Sequence, residues 1–194
     1  DLITQNKQHI KEIALVGGEP LLLKENLDLL YAIHDTKCKV IVITNLNVDL
    51  ESNAVFKKLK DHLRVGWSLS FDNIGKRYEY VRYGGNWTLH EKNVNTVCEL
   101  MKNGHDGGIH AVYNLYNCTR LEEFREWAAS KDLSILWQRL FTPDSLDVLK
   151  QNAAVQTLAV DEIHRVLNNN PSEHEEQFFG DILREIHHGT ANPM

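Results

Sequence analysis

Short apolar runs recur along this chain with amphipathic stretches between them, and that alternation restricts the fold more than any other feature. The runs are IALV (13–16), KVIVITN (39–45), RVGWSLSFD (64–72), GIHAVYNLY (108–116) and LSILWQRL (133–140). Ile13 to Val16 has no polar alternation, which suits a strand covered on both faces in a parallel sheet. The intervening stretches carry helical spacing. Leu27, Leu30, Tyr31 and His34 predict an apolar helix face after the first run, Val48 to His62 reads as helical, and a further helix runs from about Leu89 to Lys102. Leu121 to Ala129 places Phe124 and Trp127 on one apolar face. Strand and helix in strict alternation predict βα units and a mostly parallel sheet, an α/β fold rather than a hairpin-built one.

A chain of 194 residues buries roughly 70% of the surface its unfolded form exposes, enough for one substantial core. Its 42% hydrophobic and 25% charged residues are ordinary for a globular protein and argue against disorder. The 21 Lys and Arg stand against 27 Asp and Glu, a net charge of −6, so general nucleic-acid binding is not expected. No apolar run approaches the roughly 20 residues that cross a bilayer, and the polar start DLITQNKQHIKEI is unlike a signal peptide. The expectation is no membrane association and a cytoplasmic location. Cys38, Cys98 and Cys118 are widely spaced, which suits buried thiols in a reducing compartment and fits neither a disulfide framework nor a metal knuckle.

The ends of the apolar runs carry the polar residues. The first closes on Gly17, Gly18, Glu19 and Pro20, the second on Thr44 and Asn45. The third alternates Ser68, Ser70 and Asp72, which period two places on one face. Asn114 to Asn117 and then Gln138 and Arg139 close the last two. Carboxyl ends of parallel strands are where open α/β sheets and β/α barrels bind ligands. Gly17 and Gly18 let a ligand approach the backbone, and Pro20 stiffens the exit. Serines facing inward need partners, since an unsatisfied buried hydroxyl costs about 1 to 3 kcal/mol.

Taken together, the GGEP that closes a buried strand, the Thr-Asn pair closing the next, the S-x-S-x-D strand and the R-x-G-G-x-W loop resemble the middle of a radical S-adenosylmethionine enzyme, from about Ile13 to Leu149. The resemblance implies a partial (β/α) barrel over residues 1–150, followed by a C-terminal helical extension over 151–194. It implies S-adenosylmethionine as cofactor, with Gly17, Gly18, Glu19, Pro20, Thr44, Asn45, Ser68, Ser70, Asp72 and Arg82 as the binding residues. Glu19 would accept the ammonium group of the methionine moiety, Ser68 or Ser70 would bind ribose or carboxylate oxygens, and Arg82 would pair with the methionine carboxylate.

The departure from that family is the absence of the C-x3-C-x2-C loop that holds a [4Fe-4S] cluster. In the family that loop follows the first strand, so the cluster is expected in a longer parent protein and not in this chain, with about 30 or more residues, one strand-loop-helix unit, expected to be missing before Asp1. The implied activity of the parent is reductive cleavage of S-adenosylmethionine, fed by a reductant, and abstraction of a substrate hydrogen; this chain alone is expected to be inactive. No cysteine follows Cys118, so no auxiliary cluster is implied, and peptide, nucleotide and sugar substrates all stay open. The missing neighbour strand leaves an edge beside IALVGGEP through which the chain is expected to self-associate.

Other readings stand beside these. A non-catalytic β/α domain that binds a partner protein or nucleotide fits the same pattern, and a phosphate-binding barrel fits less well because Glu19 would repel the anion. Asp72 is expected to fix the following loop by accepting backbone amides rather than to touch ligand. The 73–87 connection NIGKRYEYVRYGGNW reads as a long loop packed over the barrel mouth. His105, His110, His187 and His188 read as surface or satisfied core residues, Trp67, Trp127 and Trp137 as core. Val160 to Leu167 and Glu175 to His187 read as helices, with Glu173 to Glu176 a solvated helix start.

Overall fold

A computed structural model describes residues 2–191. A short α1 (Leu2–Asn6) leads into β1 (Glu12–Leu15), and the chain then alternates through α2 (Lys24–Ile33), β2 (Lys39–Thr44), α3 (Ala54–Lys60) and β3 (Val65–Ser70). Two helices, α4 (Gly75–Val81) and α5 (Trp87–Lys102), precede β4 (Asp106–Tyr113), and α6 (Leu121–Ser130) precedes β5 (Ile135–Arg139). The chain closes with α7 (Ala153–Asn168) and α8 (Glu173–Ala191).

All five strands lie in one sheet in the order β1-β2-β3-β4-β5, every pair parallel. A parallel sheet in sequential order places each crossover on the same side and curls toward a barrel. One face is packed under helices: Leu15, Val40, Val42, Val65, Trp67, Leu69, Ile109, Ala111, Tyr113 and Trp137 all point there and are buried. The alternate residues Ala14, Val16, Ile43, Ser68, Ser70, His110, Leu136 and Gln138 line the concave face, which is open. The covering helices therefore fix the outer wall, and the inner wall is left uncovered among the described residues.

Gly107 shows how closely the strands are seated. It pairs with Trp67, and a Cβ there would lie 2.2 Å from the Trp67 carbonyl oxygen and 2.7 Å from the Met101 side chain. The Gly107-Gly108 pair is thus part of β4 itself.

Helix starts follow asparagine caps. Asn53 accepts from Phe56 N–H at 2.8 Å, Asn86 from Leu89 N–H at 2.9 Å and Asn152 from Val155 N–H at 3.1 Å. These caps explain why α3 is shorter than the 48–62 expected and why α7 begins before Val160. On α2 the buried positions are Leu30 and Ile33, while Tyr31 and His34 are exposed. The 73–87 segment is not a plain loop, because α4 occupies it and buries Tyr78 against Phe71 and Trp87.

The C-terminal helices close the far side of the sheet. His174 at the start of α8 meets Trp137 at both its N–H (2.9 Å) and its carbonyl (3.2 Å), covering the outer edge of β5. Glu175 is not a solvated helix start: it is buried and accepts from Arg125 Nε at 2.8 Å and Ser172 N–H at 2.9 Å. Those contacts hold its carboxyl below the usual carboxylate range although burial opposes them. No helix among the described residues is long and apolar enough to cross a membrane.

Candidate functional site

The carboxyl ends of β1 and β2 are joined by one side chain. Beyond β1 the backbone turns at Gly17, whose φ of 122° lies in the region that favours glycine. Pro20 then opens a single 3-10 turn over Pro20–Leu22, and Glu19 caps it, its Oε1 accepting from Leu21 N–H at 3.1 Å. The same oxygen accepts from the Thr44 hydroxyl at 2.7 Å, and Oε2 accepts from Asn45 N–H at 3.1 Å. Thr44 is buried and its hydroxyl oxygen in turn accepts from Leu46 N–H at 3.0 Å. Glu19 is thus fixed by three donors. A carboxylate offers about four acceptor directions, so one remains, on Oε2. Beside it Gly17 and Gly18 are exposed, and a Cβ at either would meet nothing within 4 Å.

On β3 the two serines differ. Arg82, at the C-terminus of α4, donates from Nη2 to the Ser70 carbonyl at 2.7 Å and more distantly to its hydroxyl at 3.4 Å. Its guanidinium lies 3.8 Å from Asp72 Oδ2. The Ser68 hydroxyl, one pleat lower, has no hydrogen-bond partner among the described residues. Asp72 accepts at 2.7 Å from Val112 N–H of β4, so the amide it holds belongs to the neighbouring strand and not to the loop that follows. Burial raises the Asp72 carboxyl above its ordinary value, with the Val112 amide, Arg82 and His110 opposing.

Beneath this layer lies an aromatic floor. The His90 ring sits 4.3 Å from Tyr78, 4.6 Å from Phe71 and 5.6 Å from Trp87, fully buried, with neither ring nitrogen hydrogen-bonded among the described residues. Burial pushes His90 down to about 4, Asn45 backbone opposing and Arg82 assisting. Burial likewise pushes Tyr78 up to about 12, with Arg82 and Glu19 both within electrostatic reach.

Of the residues singled out in the sequence, Gly17, Gly18, Glu19, Pro20, Thr44 and Asn45 come together at the β1 and β2 ends. Ser70, Asp72 and Arg82 form a second cluster at the end of β3, and Ser68 stands apart below it. The sequence reading passed over the pair His110 and Gln138, joined at 2.9 Å on the concave face. The signal was available, because alternation along GIHAVY puts His110 on the face that Ser70 shares, and the two are register partners.

Cys38, Cys98 and Cys118 are buried and unpaired. Burial raises all three thiols, Cys118 to about 11, so each stays protonated. No group of three or more His, Cys, Asp or Glu among the described residues is arranged to hold a metal ion.

No protein-family model matches the chain, and no curated protein matches it. Solved structures do. Streptococcus suis SuiB bound to S-adenosylmethionine superposes with a TM-score of 0.56 at 16% identity, over 79% of this chain and 35% of that one. The anSMEcpe structure with bound AdoMet and Kp18Cys peptide gives 0.56 at 17% identity, over 88% and 53%. SuiB bound to precursor peptide SuiA gives 0.58 at 15%, over 88% and 40%. The fold is therefore the partial barrel of these solved structures, the fold that the motif resemblance implied. The chain spans between about a third and about a half of their length.

Proposed function

We propose that this chain is the S-adenosylmethionine-binding portion of a radical S-adenosylmethionine enzyme. The carrying observation is Glu19: three donors fix its carboxylate, one acceptor direction on Oε2 stays open, and bare glycine backbone lies beside it. That arrangement fits a primary ammonium group, since a pre-oriented carboxylate binds a cation without reorganising. Arg82 anchors through Nη2, leaving Nε and Nη1 to meet the cofactor's carboxylate, and the Ser70 hydroxyl lies beside it for a ribose or carboxylate oxygen. The Thr44 hydroxyl orients Glu19 rather than touching ligand. The bound cofactor would supply a reactive sulfonium to the open concave face, whose residues form the substrate wall.

The [4Fe-4S] cluster of such enzymes does not fit the cysteines of this chain. They lie on separate segments, the α2–β2 connection, α5 and the β4–α6 connection, and stay protonated. In this reading the cluster, the reductant and turnover are those of a longer parent protein, with residues 1–150 its barrel portion and 151–194 a C-terminal extension. Isothermal titration of the chain with S-adenosylmethionine tests the reading. Binding should weaken about 10-fold or more in Glu19→Gln, the loss of one charge-assisted hydrogen bond of about 1.5 to 3 kcal/mol. Absence of binding to the wild-type chain would favour a β/α domain with another ligand.

A further inference from the structure

Two polar atoms on the concave face stand uncommitted. His110 Nε2 faces Gln138 Oε1 at 2.9 Å, and because an amide oxygen only accepts, that nitrogen carries the proton. Nδ1 is left as a lone-pair acceptor with no partner among the described residues. The Ser68 hydroxyl is the other. Ser68 is register partner of Gly108, and His110 lies two residues further along the same face of β4. Strand spacing and rise put the Ser68 and His110 Cα atoms about 8 Å apart. Gly108 between them has no side chain.

The surroundings narrow what can bind. Ile43, register partner of Ser68, and Leu136, register partner of His110, are exposed and make the wall apolar. Lys39 at the foot of this face bonds Asp106 at 2.8 Å across Gly66, and the donors that Arg82 keeps at the rim are those assigned above to the cofactor's carboxylate. With the cofactor in place, a phosphate on this wall therefore finds no free positive charge. One donor hydroxyl and one acceptor nitrogen on an apolar wall complement a neutral group that carries one acceptor and one donor. A secondary amide, reached by two hydrogen bonds of about 2.9 Å, spans a comparable distance.

From this we infer that Ser68 and His110 form a binding site for an amide of the substrate, the Ser68 O–H donating to its carbonyl and His110 Nδ1 accepting its N–H, with Gln138 fixing the imidazole tautomer. The inference rests on the reading of the concave face as the substrate wall and makes the substrate a peptide or other amide-bearing molecule. The probe is N-acetylglycine N-methylamide, titrated into the full chain and followed by nitrogen-15 spectra of the histidine side chains and backbone. His110 should show a protonated Nε2 and a bare Nδ1, and the probe should shift Nδ1 and the Gly108 amide. Ser68→Ala and His110→Phe should each raise the probe's dissociation constant about 3- to 10-fold, the loss of one neutral hydrogen bond. Gln138→Leu should populate both tautomers and weaken binding less.

A proton on Nδ1 in the wild-type chain, or probe binding indifferent to both Ser68→Ala and His110→Phe, overturns the inference. S-adenosylmethionine titrated into the same samples separates it from the cofactor reading. Cofactor binding without any probe shift at His110 removes the amide site alone, whereas probe binding at His110 without cofactor binding leaves the site and removes the proposed function.

Discussion

His90 should make this fold acid-labile by a calculable amount. Its folded-state value of about 4 lies below the ordinary 6.5, so the folded chain holds the imidazole neutral while the unfolded chain binds a proton. Stability from this depressed base is complete above about pH 6.5 and is lost as pH falls through 4. At about 1.4 kcal/mol per pH unit over that window, the loss between pH 7 and pH 4 is about 3 kcal/mol. That is a large fraction of a typical domain stability of about 5 to 15 kcal/mol. Physically, a charged ring at 0% exposure, walled by Phe71, Tyr78 and Trp87, gives up its hydration on folding, and the Asn45 backbone offsets that cost only in part.

The assay is urea denaturation followed by tryptophan fluorescence at pH 7, 6, 5 and 4, on wild type and His90→Phe. Carboxylates and other histidines titrate alike in both proteins, so the difference between the two curves isolates His90. The wild type should lose about 3 kcal/mol relative to the variant across the range. A constant offset from packing the larger ring does not affect that slope. Parallel stability curves would refute the reasoning and mean that His90 finds a hydrogen-bonded partner when charged.

The clamp at Glu19 should also carry stability: Glu19→Ala leaves the Thr44 hydroxyl and Asn45 N–H without their acceptor and should cost about 1 to 3 kcal/mol in urea denaturation. Arg125→Met strips the buried Glu175 of its cation and should destabilise by about 3 to 5 kcal/mol at pH 7, whereas Arg125→Met with Glu175→Leu should recover much of it. Gly107→Ala drives a methyl into the Trp67 carbonyl and should yield a chain with lowered melting temperature and altered tryptophan fluorescence. The outer edge of β1 pairs with no strand among the described residues, so the chain should associate as concentration rises; a clean monomer at high concentration in sedimentation would count against this.

Much of the framework was legible before any coordinates. The five apolar runs become the five strands because a strand packed under helices tolerates few polar residues, and Ser68 and Ser70 share a face because side chains alternate along a strand. Helix limits were less legible. The caps Asn53, Asn86 and Asn152 decide them, and an asparagine acts as a cap only where its side chain meets the right backbone amide.

What sequence alone determined was the periodic part: parallel β/α units, the polar cluster at the strand ends, and buried thiols too far apart for a cluster. What tertiary structure decided was pairing across long separations. Glu19 meets Thr44 and Asn45, Arg82 turns to the Ser70 carbonyl, Glu175 is drawn into the interior by Arg125, and His174 seals the edge of β5. Periodicity along a chain is set by local backbone geometry and can be read residue by residue. The partner of a polar atom depends on which elements the fold brings within about 3 Å, and no local pattern encodes that distance.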